Sequence, residues 1–261
     1  MSTQGAKAET LRSLHVSGRP LVLFNIWDAG TAKAVTSSGA RALATGSWSV
    51  AAANGFADGE RIPLDLALDN LARIVKATDL PVTVDLESGY GETAGEVAQS
   101  VARAIEAGAV GCNLEDSFPS NGSLRDIDEQ AERIAQARRA ARDREVPIFI
   151  NARTDVFFQE PARAHNDAMV RAAMDRARVF AGAGADGLFA PGVVDETLIA
   201  RLVEASPLPV NIMVEANTPS LSRLAKLGVA RVSHGPRPYL GMMKLLEDAA
   251  RAALSDAGRA S

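Results

Sequence analysis

The sequence predicts a (β/α)8 TIM barrel, eight parallel strands alternating with helices in an α/β fold, and three observations predict it. Eight short runs rich in Val, Ile, Leu and Phe recur along the chain. Longer Ala-, Arg- and Glu-rich stretches separate them, and the chemically active polar residues gather after the runs rather than before them. Near-continuous apolar runs are what parallel strands covered on both faces require. Strand alternating with helix builds a parallel sheet, and eight units favour closing it into a cylinder.

Taken in order, residues 1–19 are expected as a leading helix. The apolar runs are LVLFNIWD (21–28), ARALATGS (40–47), LPVTVDLESGYG (80–91), VGCNLEDS (110–117), VPIFINARTD (146–155), ADGLFAPG (185–192), LPVNIMV (208–214) and ARVSHGP (230–236). Residues 92–108 carry Val97, Val101 and Ile105 at four-residue steps with Gly108 as a stop, the pattern of a one-sided helix. IDEQAERIAQARRAARD, AMVRAAMDRARVFAGAG and TPSLSRLAKLG behave alike. Residues 238–257 form a last amphipathic helix with Leu240, Met243, Leu246 and Ala250 along one side. No composition break divides the chain, so 1–261 is expected as one domain.

Composition narrows the function classes. At 261 residues, 47% hydrophobic and a formal charge of −4, the chain can bury a large core and offers no basic surface for nucleic acid. No apolar run reaches the roughly 20 residues of a membrane span, and the opening MSTQGAKAETLRSLH has no signal-peptide core. One cysteine, Cys112, excludes an internal disulfide, and a reduced, cytoplasmic setting fits. Inside its run, Cys112 reads as core rather than nucleophile.

In such barrels chemistry sits at the C-terminal ends of the strands. Those ends collect Asp28, Thr45-Gly46-Ser47, Asp85 with Glu87, Glu115-Asp116, Asn151 with Arg153 and Asp155, Asn211, and His234. Alternation puts Asp85 and Glu87 on one face, and likewise Asn151, Arg153 and Asp155. Converging carboxylates repel and hold protons above their usual range, and a hard divalent cation relieves that. Acids that cap helices after strands are the plainer reading, and it stays open for Asp116 and Asp155. Arg153 needs an anion: either a structural carboxylate or a substrate carboxylate in a bidentate fork. Thr45-Gly46-Ser47 could present backbone N–H groups to an anionic oxygen. His234 reads as a site residue or a polar cap, and Trp48 as a pocket wall or loop packing. No lysine stands at a strand's end, which disfavours Schiff-base chemistry, and three dispersed histidines cannot build a histidine metal centre. No GxGxxG follows the first strand, so a dinucleotide fold is unsupported.

The segments FNIWDAGTAKAVTSSGARALATGS, GFADG, PVTVDLESGYG, AGAVGCNLEDS, FINARTD, GADGLFAPG and LPVNIMV, in that order, resemble the isocitrate lyase/phosphoenolpyruvate mutase superfamily over nearly the whole chain. The resemblance implies a Mg2+-dependent enzyme, with Mn2+ as an alternative ion, that makes or breaks C–C or P–C bonds beside a 2-oxo acid through an enolate-like species. It implies that Asp85 holds the metal directly or through water, with Glu87, Asp58 and Glu115 binding its water shell. The backbone at Thr45, Gly46 and Ser47 would cradle the substrate's carboxylate and C2 oxygen, and Arg153 would meet its far anionic group. Trp48 and Asn211 complete the expected substrate contacts. The family also implies a homodimer or homotetramer.

Departures decide the reaction. The lyase branch carries a Lys-(Lys/Arg)-Cys-Gly-His loop whose Cys is the acid/base, and the phosphonate branch a Phe-Pro-Lys-x-Asn-Ser-type loop. Here the stretch is Ser117-Phe118-Pro119-Ser120-Asn121-Gly122-Ser123-Leu124-Arg125, without Lys, Cys or His. A pocket retained without that loop chemistry suits C–C cleavage of a small 2-oxo or 2-hydroxy carboxylic acid, by decarboxylation or by retro-aldol cleavage. For the latter Glu115, His234 or a metal-bound water would act as base. The alternatives are P–C chemistry on a phosphonopyruvate-type substrate and a noncatalytic 2-oxo-acid binder.

Overall fold

Each apolar run yields a strand, and the eight strands form one parallel sheet. The computed structural model describes residues 3–257. The strands are β1 (Leu21–Leu23), β2 (Leu43–Ala44), β3 (Val82–Asp85), β4 (Gly111–Glu115), β5 (Phe149–Arg153), β6 (Gly187–Ala190), β7 (Val210–Met213) and β8 (Arg231–Ser233). They are hydrogen-bonded in the order β1-β8-β7-β6-β5-β4-β3-β2, every pair parallel. The remaining seam, β1 to β2, is joined by a single parallel bridge, Ile26 to Thr45. The Asn25 amide reinforces it: Nδ2 donates to the Thr45 carbonyl at 2.9 Å, and Oδ1 accepts from the His234 and Gly235 N–H groups at 2.9 Å each. The architecture is the (β/α)8 barrel expected from the sequence.

Ten helices run among and beyond the strands of the described residues: α1 (Thr3–Ser13), α2 (Ala29–Ser37), α3 (Ser47–Ala53), α4 (Leu64–Lys76), α5 (Ala94–Glu106), α6 (Ile127–Asp143), α7 (Asp167–Ala183), α8 (Glu196–Ala205), α9 (Leu221–Lys226) and α10 (Arg237–Ala257). The leading helix is shorter than expected, because a turn and the Val16–Arg19 bridge follow it before β1. Local chemistry starts the helices. Asp28 and Thr93 each build a reciprocal capping box, with Thr31 and Glu96, satisfying backbone donors that the first turn cannot. Asp28 is therefore a helix cap rather than a site acid. Gly184 ends α7 in the left-handed conformation, φ 104°.

The strands bury apolar side chains outward against the helices. Inward, just below the mouth, lies a polar layer. Asn151 donates to Asn113 (2.9 Å) and Asn211 (3.2 Å), Ser233 donates to Asn211 (2.9 Å), and Arg231 reaches Asn113 (3.3 Å). Cys112 is buried core, as read from the sequence. No helix among the described residues is long and apolar enough to cross a membrane.

Candidate active site at the barrel mouth

Above this polar layer a cavity of about 280 Å³ opens at the C-terminal ends of the strands. Its wall includes Gly46, Ser47, Trp48, Asp58, Asp85 and Arg153. The acidic residues are held in place by donors from neighbouring strands and loops. Asp85, the last residue of β3, accepts from the Ser47 N–H (3.2 Å) and hydroxyl (2.9 Å) with Oδ2, and from Asn113 Nδ2 (3.4 Å) with Oδ1. Ser47 sits on the first turn of α3, where N–H groups lack intrahelical partners.

That arrangement changes the role expected for the Thr45-Gly46-Ser47 backbone. All three N–H groups are engaged within the protein: Thr45 to the Thr83 carbonyl, Gly46 to the Ile26 carbonyl, and Ser47 to Asp85. The segment orients Asp85 rather than presenting those three donors to the cavity. The Thr45 hydroxyl, likewise, accepts from the Asp85 N–H at 2.9 Å.

Glu87 lies two residues beyond β3, at φ 51°. It is 3% exposed, its Oε2 accepts from the Glu60 N–H (2.8 Å), and its Oε1 accepts from the Tyr90 hydroxyl (3.2 Å). Glu60 in turn accepts from the Ser88 hydroxyl (2.7 Å) and the Tyr90 N–H (2.9 Å). Glu60, Glu87 and Tyr90 are all non-glycine residues with positive φ. Such backbone costs on the order of 1–3 kcal/mol per residue and persists where surrounding bonds over-determine it. Glu60 was not singled out from the sequence, and no pattern there announces it.

Arg153 ends β5 between two carboxylates. Its Nε and NH2 donate to Asp155 (2.6 and 3.0 Å) in a bidentate fork, and NH1 meets Glu115 at 2.7 Å. Both readings of its partner start from this structural pairing. Ser117 bridges the same carboxylates, its hydroxyl 2.7 Å from Asp155 Oδ2 and 3.2 Å from Glu115 Oε1. Asp116 faces away, paired with Arg176 at 3.0 Å and capping the Asp155 N–H. It is structural, though as a buried ion pair rather than the surface helix cap of the plainer reading.

Crowding shows in the protonation of these acids. Burial first, then Asp58 and Asp85, push Glu87 up to about 7. Burial pushes Glu115 up to about 8 against the pull of Arg153, with Asp155, Asp85 and Glu87 adding to the rise. Asp58 is raised by burial and by Asp85. Burial opposes the Arg153 charge, yet Glu115 and Asp155 hold it above the ordinary arginine range.

Of the expected residues, Gly46, Ser47, Trp48, Asp58, Asp85 and Arg153 line the cavity, Thr45, Glu87 and Glu115 stand behind that lining, and His234 and Asn211 lie further apart. The His234 ring packs against Phe24 (centroids 5.1 Å apart) and is not among the lining side chains, though Ser233, Gly235 and Pro236 beside it are. β8 ends at Ser233, whose hydroxyl reaches inward to Asn211, and His234 just beyond it packs on Phe24 instead. Asn211 is 1% exposed within the polar layer and reaches the site only through its neighbours. The 117–125 loop closes on itself, with the Arg125 guanidinium 4.0 Å above the Phe118 ring and a Ser117–Leu124 bridge. It lines a separate outer cavity of about 990 Å³ rather than the mouth.

A parallel eight-stranded barrel with a crowded acidic mouth defines an enzyme class that works at its strand ends. The chain belongs to the phosphoenolpyruvate phosphomutase family, whose model matches residues 11–254, within the isocitrate lyase/phosphoenolpyruvate mutase superfamily. It is 34% identical to an uncharacterised protein of Mycobacterium tuberculosis over 243 residues, 93% of this chain and 88% of that one. It is 30% identical to oxaloacetate decarboxylase of Ectopseudomonas mendocina over 206 residues, 76% and 67% of the two chains. Among solved structures, a Burkholderia cenocepacia protein named provisionally as a phosphonomutase superposes with TM-score 0.94 at 58% identity, covering 96% of this chain and 99% of that one. The superfamily's members are lyases and mutases of C–C and P–C bonds.

Proposed function

We propose that the protein is a Mg2+-dependent lyase that cleaves a C–C bond of a small 2-oxo or 2-hydroxy carboxylic acid through an enolate-like intermediate. One observation carries this reading: Asp58, Glu87 and Glu115 are all raised in protonation around Asp85, with a single mouth arginine to offset them. A site so short of positive charge fits a divalent cation. Among the described residues no three of His, Cys, Asp and Glu stand as a ready ligand set. Mg2+ suits such a site, since one or two carboxylates with waters and substrate oxygens satisfy it. Asp85 would hold it, with Asp58, Glu87 and Glu115 on its waters. When bound, the cation supplies positive charge beside the 2-oxo carboxylate.

The protein's own groups do the rest. Ser47 and Asn113 fix the Asp85 carboxylate, and Gly46, Ser47 and Trp48 line the cavity beside it. Glu115, poised near neutrality, can take and return a proton at a carboxylate oxygen. Relatives support the reading by name: 2-methylisocitrate lyase of Salmonella typhimurium (28% identical) and the oxaloacetate decarboxylase above. A solved phosphonopyruvate hydrolase is described in complex with oxalate and Mg2+. The P–C alternative is weakened by the closed 117–125 loop, which brings no cation or acid to the mouth.

Turnover on oxaloacetate, alkylmalates, methylisocitrate, a 4-alkyl-4-hydroxy-2-oxo acid and phosphonopyruvate, with Mg2+ and with chelator, tests the proposal. Metal-dependent release of a 2-oxo acid from a carbon substrate is expected. Pyruvate release from phosphonopyruvate alone would reverse the preference, and no product from any would favour a binder. We also propose a homo-oligomer. Leu240, Met243 and Leu246 of α10 are uncovered, as are Val22 and Phe24 on the outside of the seam. Light scattering in solution checks that.

A further inference from the structure

The mouth cavity has apolar lining as well as carboxylates. Phe158 and Phe189 flank Arg153, whose guanidinium carbon lies 5.5 and 5.9 Å from their ring centroids. Trp48, Met213 and, from the loop after β7, Glu215 also line the cavity. Two glycines make room for this lining. A Cβ on Gly192 (φ 86°) would come within 2.9 Å of the Phe158 ring, and one on Gly235 (φ 53°) within 2.7 Å of Met213 sulfur. Any side chain at either position would displace the wall.

Charge here is already balanced or negative. Among the described residues Arg153 is the only cationic side chain lining the cavity, and it is paired with both Asp155 and Glu115. A second anionic group on the substrate would meet no unpaired cation and would face Glu215 in a partly desolvated space, where like charges repel more strongly than in water.

Resting on the lyase reading, we propose that the substrate carries one carboxylate and ends in an uncharged apolar group seated against Trp48, Phe158, Phe189 and Met213. Of the two cleavages, this selects the retro-aldol. The substrate class is a 4-hydroxy-2-oxo acid with an alkyl or aryl group on C4. The C3–C4 bond breaks and its electron pair stays with C3, forming the enolate. The C4 hydroxyl gives its proton to a mouth carboxylate and becomes the carbonyl of a neutral aldehyde. C3 then takes up a proton, which leaves a 2-oxo acid, with no oxidant or reductant needed.

Calorimetric titration in Mg2+ tests this without turnover, using oxalate, 2-oxo-4-methylpentanoate and 2-oxoglutarate as probes. The apolar-tailed acid is expected to bind about tenfold or more tighter than 2-oxoglutarate, from buried tail surface on one side and repulsion on the other. Glu215→Gln should shrink that ratio by strengthening 2-oxoglutarate, and Phe158→Ala by weakening the apolar acid. Phe158 is 47% exposed, so its truncation leaves the core intact. Oxalate binding with 2-oxoglutarate preferred over the apolar acid overturns the tail assignment alone. Failure of oxalate to bind overturns the metal–oxo-acid site and this inference together.

Discussion

Arg153 at the mouth and Arg231 beneath it are both buried inside the same barrel, yet they keep opposite company. Arg153 touches two carboxylates and sits near a third, Asp85, so its charge is held firmly. Among the described residues Arg231 has no carboxylate in contact. Its one hydrogen bond runs to Asn113, its Nε and NH1 find no partner among the described residues, and burial pulls it down to about 10. Beside it His15 lies flat on Phe149, ring centroids 3.9 Å apart, kept neutral by burial and by Arg231 down to about 3. The mouth thus has excess anion and the floor an under-used cation, separated by one layer of asparagines. Charge that packing alone would discard is kept where ligand chemistry needs it, while the floor carries polarity as a cost.

The largest effect that would break this contrast is at Asp85. Asp85→Ala should lower Mg2+-dependent turnover at least ~100-fold while leaving the melting temperature unchanged or higher, because it removes one of several repelling carboxylates. Steady-state kinetics with parallel thermal melts check it, and full metal-dependent activity in the variant would remove the metal assignment.

Next comes the floor. Arg231→Ala should cost about 2–4 kcal/mol by leaving a cavity, whereas Arg231→Met, similar in length and without orphaned N–H groups, should stay within about 1.5 kcal/mol of the parent in urea unfolding. Equal losses in both variants would mean that the floor needs the charge itself.

The pH dependence of stability follows from the mouth. Glu87 and Glu115 have folded pKa values near 7 and 8, above their ordinary 4.5, so the folded state holds protons that the unfolded chain releases. The contribution of these two groups to stability without metal is therefore fully present below about pH 4.5 and is lost as pH rises toward about 8. Added Mg2+ should raise the melting temperature more at pH 8 than at pH 5.5, and a metal increment independent of pH would contradict the crowding. The smallest effect is at Ser117. Ser117→Ala leaves Glu115 and Asp155 without their shared hydroxyl and should cost about 1 kcal/mol, measurable by denaturant unfolding.

Much of this was legible in the sequence because buried parallel strands must be apolar and short. Asp85 and Arg153 were found because they end strands. Glu87 and Asp155 lie on the mouth too, but beyond the strands, in a left-handed turn and a 3-10 turn. Alternation does not govern them there. Glu60, Phe158 and Glu215 come from loops whose course is set by tertiary bonds, so no spacing marks them. His234 was misleading because it stands beside the site in sequence but, just past the end of β8, packs on Phe24 outside it. Arg231, inside an apolar run, gave no hint that it spans the floor.

The seam between the first and second strands has a further consequence. A ring of eight staves fastened at seven joints and pinned at the eighth has a preferred place to part. Isotope exchange at the Ile26 and Gly46 amides should outpace that of every other ladder, and Asn25→Leu, removing the pin, should hasten it again. The same edge carries Ser47, so breathing there would loosen the hold on the acid it steadies.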